Sequence, residues 1–240
     1  PFLVLLVLGL RMLSSNIKKF SKITAITLLV VWFMALLTII FTGVEFGASH
    51  ANYGKSTSNN PLDIVKKDTL VLKMINNDVL YYQDNLKRSS KKHEVAIDGI
   101  LMMYTNDIRL DVKKSNTEYA YFIIQKESYG RNRIKASKNA EKIKYEYTIT
   151  DNEIVFDAFF LSDLKNIFKD EEIDITVFIP ENATIYFDNS VKNFLSDVKN
   201  KGSIYDKEMI NHHFKMTNTV LKCTDCIKEI KEEEKEQAII

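Results

Sequence analysis

The chain has 240 residues, with 33 Lys or Arg against 32 Asp or Glu, for a formal net charge of +1 at neutral pH. That balance excludes a nucleic-acid partner recruited by basic excess, and seven glycines and three prolines exclude low-complexity or linker-like sequence. Two cysteines are too few for a disulfide-built scaffold, while the length admits one sizeable domain plus something smaller.

The chain opens on "PFLVLLVLGL", which stops at Arg11. It is shorter than a membrane span, no charged leader precedes it and no small-residue cleavage site follows. Residues 1–13 therefore read as the end of a truncated transmembrane helix. Next comes "RMLSSNIKKFSK", with Arg11, Lys18, Lys19 and Lys22 and no acid. Positive loops stay in the cytoplasm, so residues 14–22 read as a cytoplasmic loop that sets membrane orientation.

Ile23 to Val44 runs for 22 residues without a charged side chain. At ~1.5 Å rise per residue it covers roughly 33 Å, enough for a hydrocarbon core of ~30 Å. Residues 23–45 are expected to span the bilayer as a helix. Thr24, Thr27, Thr38 and Thr42 can return their hydroxyl bonds to carbonyls one turn back. Glu45 reads as an interfacial anchor, and residues 46–60 as a polar tether. Everything after about residue 50 should then lie outside the cytoplasm.

Beyond the tether the pattern changes to period two. "DTLVLKM", "DIRLDV", "KIKYEYTIT", "IDITVFIP" and "TIYF" alternate apolar and polar residues, as half-buried strands do. In the third, Ile143, Tyr145, Tyr147 and Ile149 share one side. Asp151-Asn152 reads as a tight hairpin turn, since both types tolerate positive φ. "NRIKASKNAEKI" reads as a short surface helix with Ile134, Ala140 and Ile143 as its apolar contacts. The reading is a β-rich domain over residues 61–226, ending in a charged tail over 227–240. Strand spacing allows a twisted antiparallel stack or a short β-solenoid.

The segments "YGRNRIKASKNAEKIKYEYTITDNEIVFDAFFL", "IDITVFIPENATIYFDN" and "HHFKMTNTVLKCTDC" resemble the C-terminal half of membrane proteins carrying a phage-shock-protein C (PspC) domain. The matching positions are Gly130-Arg131, Ala140-Glu141, Tyr145, Pro180-Glu181, His212, Met216-Thr217 and the pair Cys223 and Cys226. Phe214 stands where that family usually shows another aromatic, often Trp. The resemblance implies a bacterial inner-membrane protein whose residues after about 50 are periplasmic, with a domain like the GIN or adhesin-head families. It also implies a role as an envelope-stress sensor or regulator. The partners implied are the lipid bilayer, other envelope proteins or the protein's own PspC domain, and a homo-oligomer is compatible. The alternative is a structural or adhesive β-solenoid without signalling output.

"HHFKMTNTVLKCTDC" is the one stretch that suggests chemistry. His212 or His213 with Cys223 and Cys226 would supply three zinc ligands, but a structural site needs four, and adjacent histidines on a strand diverge. A thiol oxidoreductase would place its Cys-x-x-C at a helix N-terminus in a βαβ setting, which this β-rich context does not offer. An oxidising compartment favours a disulfide between Cys223 and Cys226 that fixes the end of the domain. Arg131, Arg133 and Lys135 form a basic cluster that could touch lipid headgroups or a polyanion, against the simpler reading of a solvated helix face. No Ser-His-Asp order, phosphate-cradling glycine loop or close carboxylate pair stands out, so neither an enzyme nor a cofactor is expected.

Overall fold

The computed structural model describes residues 22–62, 69–76, 92–97, 99–164 and 170–226. The expected helix end over residues 1–13, the orienting residues Arg11, Lys18 and Lys19, and the tail over 227–240 lie outside the described residues.

Helix α1 covers Lys22–Ser49. Its segment Ile26–Ala48 has a mean hydropathy of 2.4 and none of it is buried inside the protein. Apolar side chains such as Leu29, Phe33, Ile40 and Phe41 face outward along it. Such a surface would be costly in water and is at home in lipid. Thr27, Thr38 and Thr42 donate their hydroxyls to the carbonyls of Ile23, Met34 and Thr38, at 2.9, 2.9 and 2.6 Å. Each hydroxyl is thereby satisfied within the helix.

The expected polar tether is not a tether. Residues 46–49 complete α1, and strand β1 (Asn52–Leu62) starts after a turn at His50 and Ala51. It pairs antiparallel with β6 (Ala120–Gly130) without a break, from Asn52↔Gly130 to Leu62↔Ala120. The strand reads as loop because it lies at a sheet edge: only Gly54 and Leu62 along it are buried, and Pro61 is tolerated there.

The remaining strands are β2 (Thr69–Ile75), β3 (Lys92–Ile97), β4 (Ile100–Thr105), β5 (Ile108–Lys114), β7 (Tyr147–Thr150), β8 (Glu153–Asp157), β9 (Phe160–Asp163), β10 (Glu172–Ile179), β11 (Thr184–Phe187), β12 (His213–Met216) and β13 (Leu221–Cys223). They form sheets of order β1-β6-β10-β5, β13-β12-β11-β2-β8-β7 and β3-β4-β9. Of the two architectures the spacing allows, the chain takes the stacked one, and among the described residues no sheet closes into a barrel. Pairing is mixed: β10 is parallel to β5 and antiparallel to β6, and β2 is parallel to both β11 and β8.

The two large sheets share one core. Leu110, Phe122, Ile175 and Val177 of the first meet Leu72, Ile154, Phe156, Ile185 and Phe214 of the second, all essentially inaccessible to solvent. Phe122 packs edge-on against Phe156 and Tyr147, with ring centroids 5.3 and 5.0 Å apart. Aromatic pairs in this arrangement add to the area they bury.

"KIKYEYTIT" is only partly a strand. Ile143 and Tyr145 enter the core, but Tyr147 and Ile149 stay partly exposed because β7 is the last strand of its sheet. The Asp151-Asn152 hairpin forms, yet neither residue has a positive φ; among the described non-glycine residues that conformation belongs to Asn182, Asp197, Ser203 and Asn211. Asn182 lies in the "PENA" turn, where its N–H donates to Met216 O at 2.9 Å.

Helix α2 (Arg133–Glu141) is capped by Asn132, whose side chain accepts the Lys135 N–H at 2.8 Å. It turns Ala136, Asn139 and Ala140 to the sheet, whereas Ile134, expected as a contact, remains exposed. The reason is backbone proximity. A Cβ on Gly54 would lie 2.3 Å from Ser137 N, and one on Gly130 would lie 2.6 Å from Ala136 N. Only small residues fit between the helix and the β1–β6 pair. Gly54→Ala or Gly130→Ala should therefore lower the unfolding free energy by about 2 kcal/mol or more. Denaturant unfolding of the full chain in detergent checks this, and a curve superimposable on the parent's would mean that the helix can retreat at no cost.

Burial, with nearby Glu146 adding to it, pushes the Asp157 carboxyl up to about 6. The phenol of Tyr145 donates to the Asp157 carbonyl at 2.8 Å. Because the folded chain holds this proton more tightly than the unfolded one, stability falls as pH rises from about 4 to about 6. Asp157→Asn should be more stable than the parent at pH 7, by roughly 1 kcal/mol after solvent screening, and equal to it below pH 4. Denaturant midpoints at the two pH values report the difference.

Candidate functional site

The closing stretch builds a compact polar cluster. β12 and β13 form a hairpin that sets Phe214 opposite Cys223. Thr217 closes its turn, donating its hydroxyl to Val220 O at 2.6 Å. After β13 the chain folds back, with the Thr224 N–H donating to His213 O at 2.9 Å. Cys223 and Cys226 are joined by a disulfide, with Cα atoms 5.7 Å apart and both residues buried.

Asp225, between the two cysteines, organises the cluster. Its carboxylate accepts the His213 backbone N–H at 3.1 and 3.2 Å. Nδ1 of His212 lies 3.1 Å from Oδ1, and Nδ1 of His213 lies 2.8 Å from Oδ2. Adjacent histidines diverge on a regular strand, but His212 precedes β12 and follows Asn211, whose φ is 63°. That kink brings both rings to one carboxylate, so the divergence expected of neighbouring histidines on a strand does not occur. Burial opposes ionisation of Asp225, but the side-chain and backbone hydrogen bonds of His213 and the side chain of His212 hold its carboxyl below the usual range. The His213 ring also lies 4.8 Å from that of Tyr186 on β11. The sequence reading overlooked Asp225; its signal was an acid inside a Cys-x-x-C, two residues beyond the strand.

Cys223 ends β13, and its sulfur is tied to that of Cys226 in the disulfide, so neither cysteine is a free thiol. His212, Cys223, Asp225 and Cys226 nonetheless offer donor atoms that all lie within 4.8 Å of one another.

A second region is the membrane junction. Arg131, just past β6, pairs with Glu45 near the end of α1, and the Asn52 side chain donates to Arg131 O at 2.9 Å. Arg131 is thus engaged with the helix, while Arg133 and Lys135 are exposed on the first turns of α2 beside it. Lys22, the one orienting residue described, opens α1.

A cleft of about 600 Å³ crosses the outer face of β5, β6 and β10, lined by Arg109, Asp111, Lys113, Gln125 and Asp174 among others. Several of its charges are paired with one another. Arg109 binds Asp174 through two donors at 2.7 and 3.1 Å and also pairs with Glu172, and Lys113 meets Asp111 at 2.9 Å. Glu127, close to Glu172 and Asp174, is neutralised by Lys55 at 2.8 Å. Self-paired groups of this kind leave little to recognise a ligand.

An apolar helix running into stacked sheets, with no assembled catalytic constellation among the described residues, defines a membrane-anchored β domain. Comparison with known families makes this specific. Residues 96–229 match the family described as "ToastRack found in some PspC", and residues 1–50 match the PspC transmembrane region. The chain belongs to this family of PspC C-terminal toast-rack proteins, the first match covering more than half of it. It is therefore an envelope-stress-related membrane protein, and neither family is a known enzyme family. No curated protein and no solved structure matches the chain.

If Asp225 holds the hairpin closed, Asp225→Asn should speed exchange of the His213 amide at least tenfold, the equivalent of about 1.4 kcal/mol. The parent should show the same loosening only in acid below the ordinary carboxylate range, because the partners of Asp225 hold its carboxyl down and it protonates late. Amide hydrogen exchange by mass spectrometry reads both, and protection unchanged in the variant would assign the closure to the disulfide alone.

Proposed function

We propose that this chain is the sensing or regulatory part of a PspC-type protein in the bacterial inner membrane, non-enzymatic, with residues after about 50 in the periplasm. The orientation is supported by Arg11, Lys18, Lys19 and Lys22 ahead of the span, with no acid among them. The observation that carries the reading is the lack of slack between membrane and domain. α1 ends at Ser49, β1 begins at Asn52, and Glu45 pairs with Arg131 across the junction. A tilt or rotation of the helix therefore acts directly on the β1–β6 ladder, and a partner on the domain acts back on the helix. Coupling is reciprocal when two states differ in their interaction free energy.

The junction suits such a role. An exposed ion pair contributes about 0–1 kcal/mol, so Glu45–Arg131 can open at small cost. Arg133 and Lys135, beside it, would meet phosphate headgroups as the domain leans toward the bilayer. The partners are other envelope proteins or the protein's own PspC domain.

The test is a charge exchange in native cells carrying an envelope-stress reporter. Glu45→Arg and Arg131→Glu should each change basal induction at least twofold, and the double exchange should restore it. Unchanged induction in all three, with altered surface adhesion, would instead favour a structural or adhesive scaffold. Tyr205, 77% exposed, reports orientation: Tyr205→Cys should react with a membrane-impermeant maleimide in intact spheroplasts. Labelling only after lysis would place the domain in the cytoplasm.

A further inference from the structure

We propose that the closing hairpin is a redox-gated zinc site. Oxidised, it is locked by the Cys223–Cys226 disulfide; reduced, it binds one Zn²⁺ through Sγ of both cysteines, Nδ1 of His212 and Oδ1 of Asp225. This does not rest on the sensor reading.

The geometry is already close to what the ion requires. Tetrahedral zinc, with bonds of roughly 2.3 Å to sulfur and 2.0–2.1 Å to nitrogen or oxygen, sets neighbouring donors roughly 3.3–3.8 Å apart. Nδ1 of His212 is 3.1 Å from Asp225 Oδ1, and Cys223 Sγ is 3.4 Å from that same oxygen. All four donor atoms fall within 4.8 Å of one another. The main change needed is for the two sulfurs to part once their bond is broken. That is a small movement, because Cys223 is fixed by its pairing with Phe214 while Cys226 lies three residues beyond the end of β13.

The surroundings fit a metal site as well. The two sulfurs come from buried residues, whereas His212 and Asp225 are partly open to solvent, which leaves an entry path. His213 supports the ligand set from behind. Its ring Nδ1 sits 2.8 Å from Oδ2 of Asp225, and its backbone N–H is shared between Oδ1 at 3.1 Å and Oδ2 at 3.2 Å, so Oδ1 keeps a second lone pair for the ion. Partners of this kind orient a carboxylate ligand and raise metal affinity.

The chemistry balances. The disulfide takes two electrons and two protons from a dithiol reductant, which itself closes to a disulfide. Zn²⁺ then displaces the two thiol protons to solvent, so two thiolates and one carboxylate surround the ion with a net charge of −1. Reoxidation by a disulfide oxidant, which takes the two electrons and is itself reduced to a dithiol, re-forms the S–S bond and releases Zn²⁺, since the sulfurs cannot bond to each other and remain thiolate ligands.

The full chain in detergent is reduced with a phosphine, freed of it, and titrated with Co²⁺ as a visible stand-in for zinc. The reduced chain should bind one Co²⁺ with thiolate charge-transfer absorption that added Zn²⁺ abolishes, and the oxidised chain should bind none. His213→Ala should weaken binding about 10- to 100-fold, and Asp225→Asn at least tenfold. A reduced chain without metal uptake overturns the proposal. So does binding of equal strength in the oxidised chain or in a His212→Ala, Asp225→Asn double variant. Circular dichroism on the same samples covers loss of fold: sheets that unfold on reduction and are not restored by Zn²⁺ overturn it too.

Discussion

The unbroken ladder between β1 and β6 is the constraint on which the rest of the structure depends. It begins at Asn52↔Gly130, directly after the membrane helix, so the first backbone bonds of the domain are made beside the bilayer. The same pairing brings Gly54 and Gly130 together as the floor on which α2 rests. It also sets Arg131 opposite Glu45. The other edge of β6 carries β10, and β10 carries β5, whose inward residues form half of the core. Membrane attachment, the helix seat and the core all descend from one antiparallel register.

The positions by which the chain resembles its family are mostly points of close fit. Gly130 admits the α2 backbone, Ala140 faces the sheet from that helix, and Tyr145 donates to the Asp157 carbonyl. Glu181 binds Lys114 at 2.9 Å in the turn whose next residue, Asn182, donates to Met216. Met216 and the turn-forming Thr217 then lead to the cysteines. Two distant parts of the signature thus meet in one place, which is how a scaffold marks itself. His212, Cys223 and Cys226 differ from these, because they converge on a carboxylate and could do chemistry there.

Strands with one buried face were legible from alternation, as "IDITVFIP" illustrates: Ile173, Ile175, Val177 and Ile179 are all in the core. Alternation fails where a strand lies at an edge. "NYGKSTSNNPL" carries too few apolar residues to be seen, although β6 pairs with it along one side, and alternation predicts for β7 a buried face that an edge does not provide. Strand order was invisible, because β10 inserts between β5 and β6 from some fifty residues away and period two names faces, not neighbours. Ile134 looks like a core contact because its apolar character is visible in the sequence, whereas the closeness of the α2 backbone to Gly54 and Gly130 is not. The role of Asp225 is hidden from the sequence because it depends on a left-handed Asn211 that turns two rings toward it, a conformation no spacing rule announces.

With only His50 and Ala51 between helix and sheet, the domain has no leash. An eleven-residue strand at about 3.4 Å per residue extends roughly 37 Å, and that sets the height to which β1 can rise above the lipid. The spacing between lipid and domain is thus set by the sheet itself and not by a spacer, and a change of length in the two joining residues would be felt at once by the first rung of the ladder.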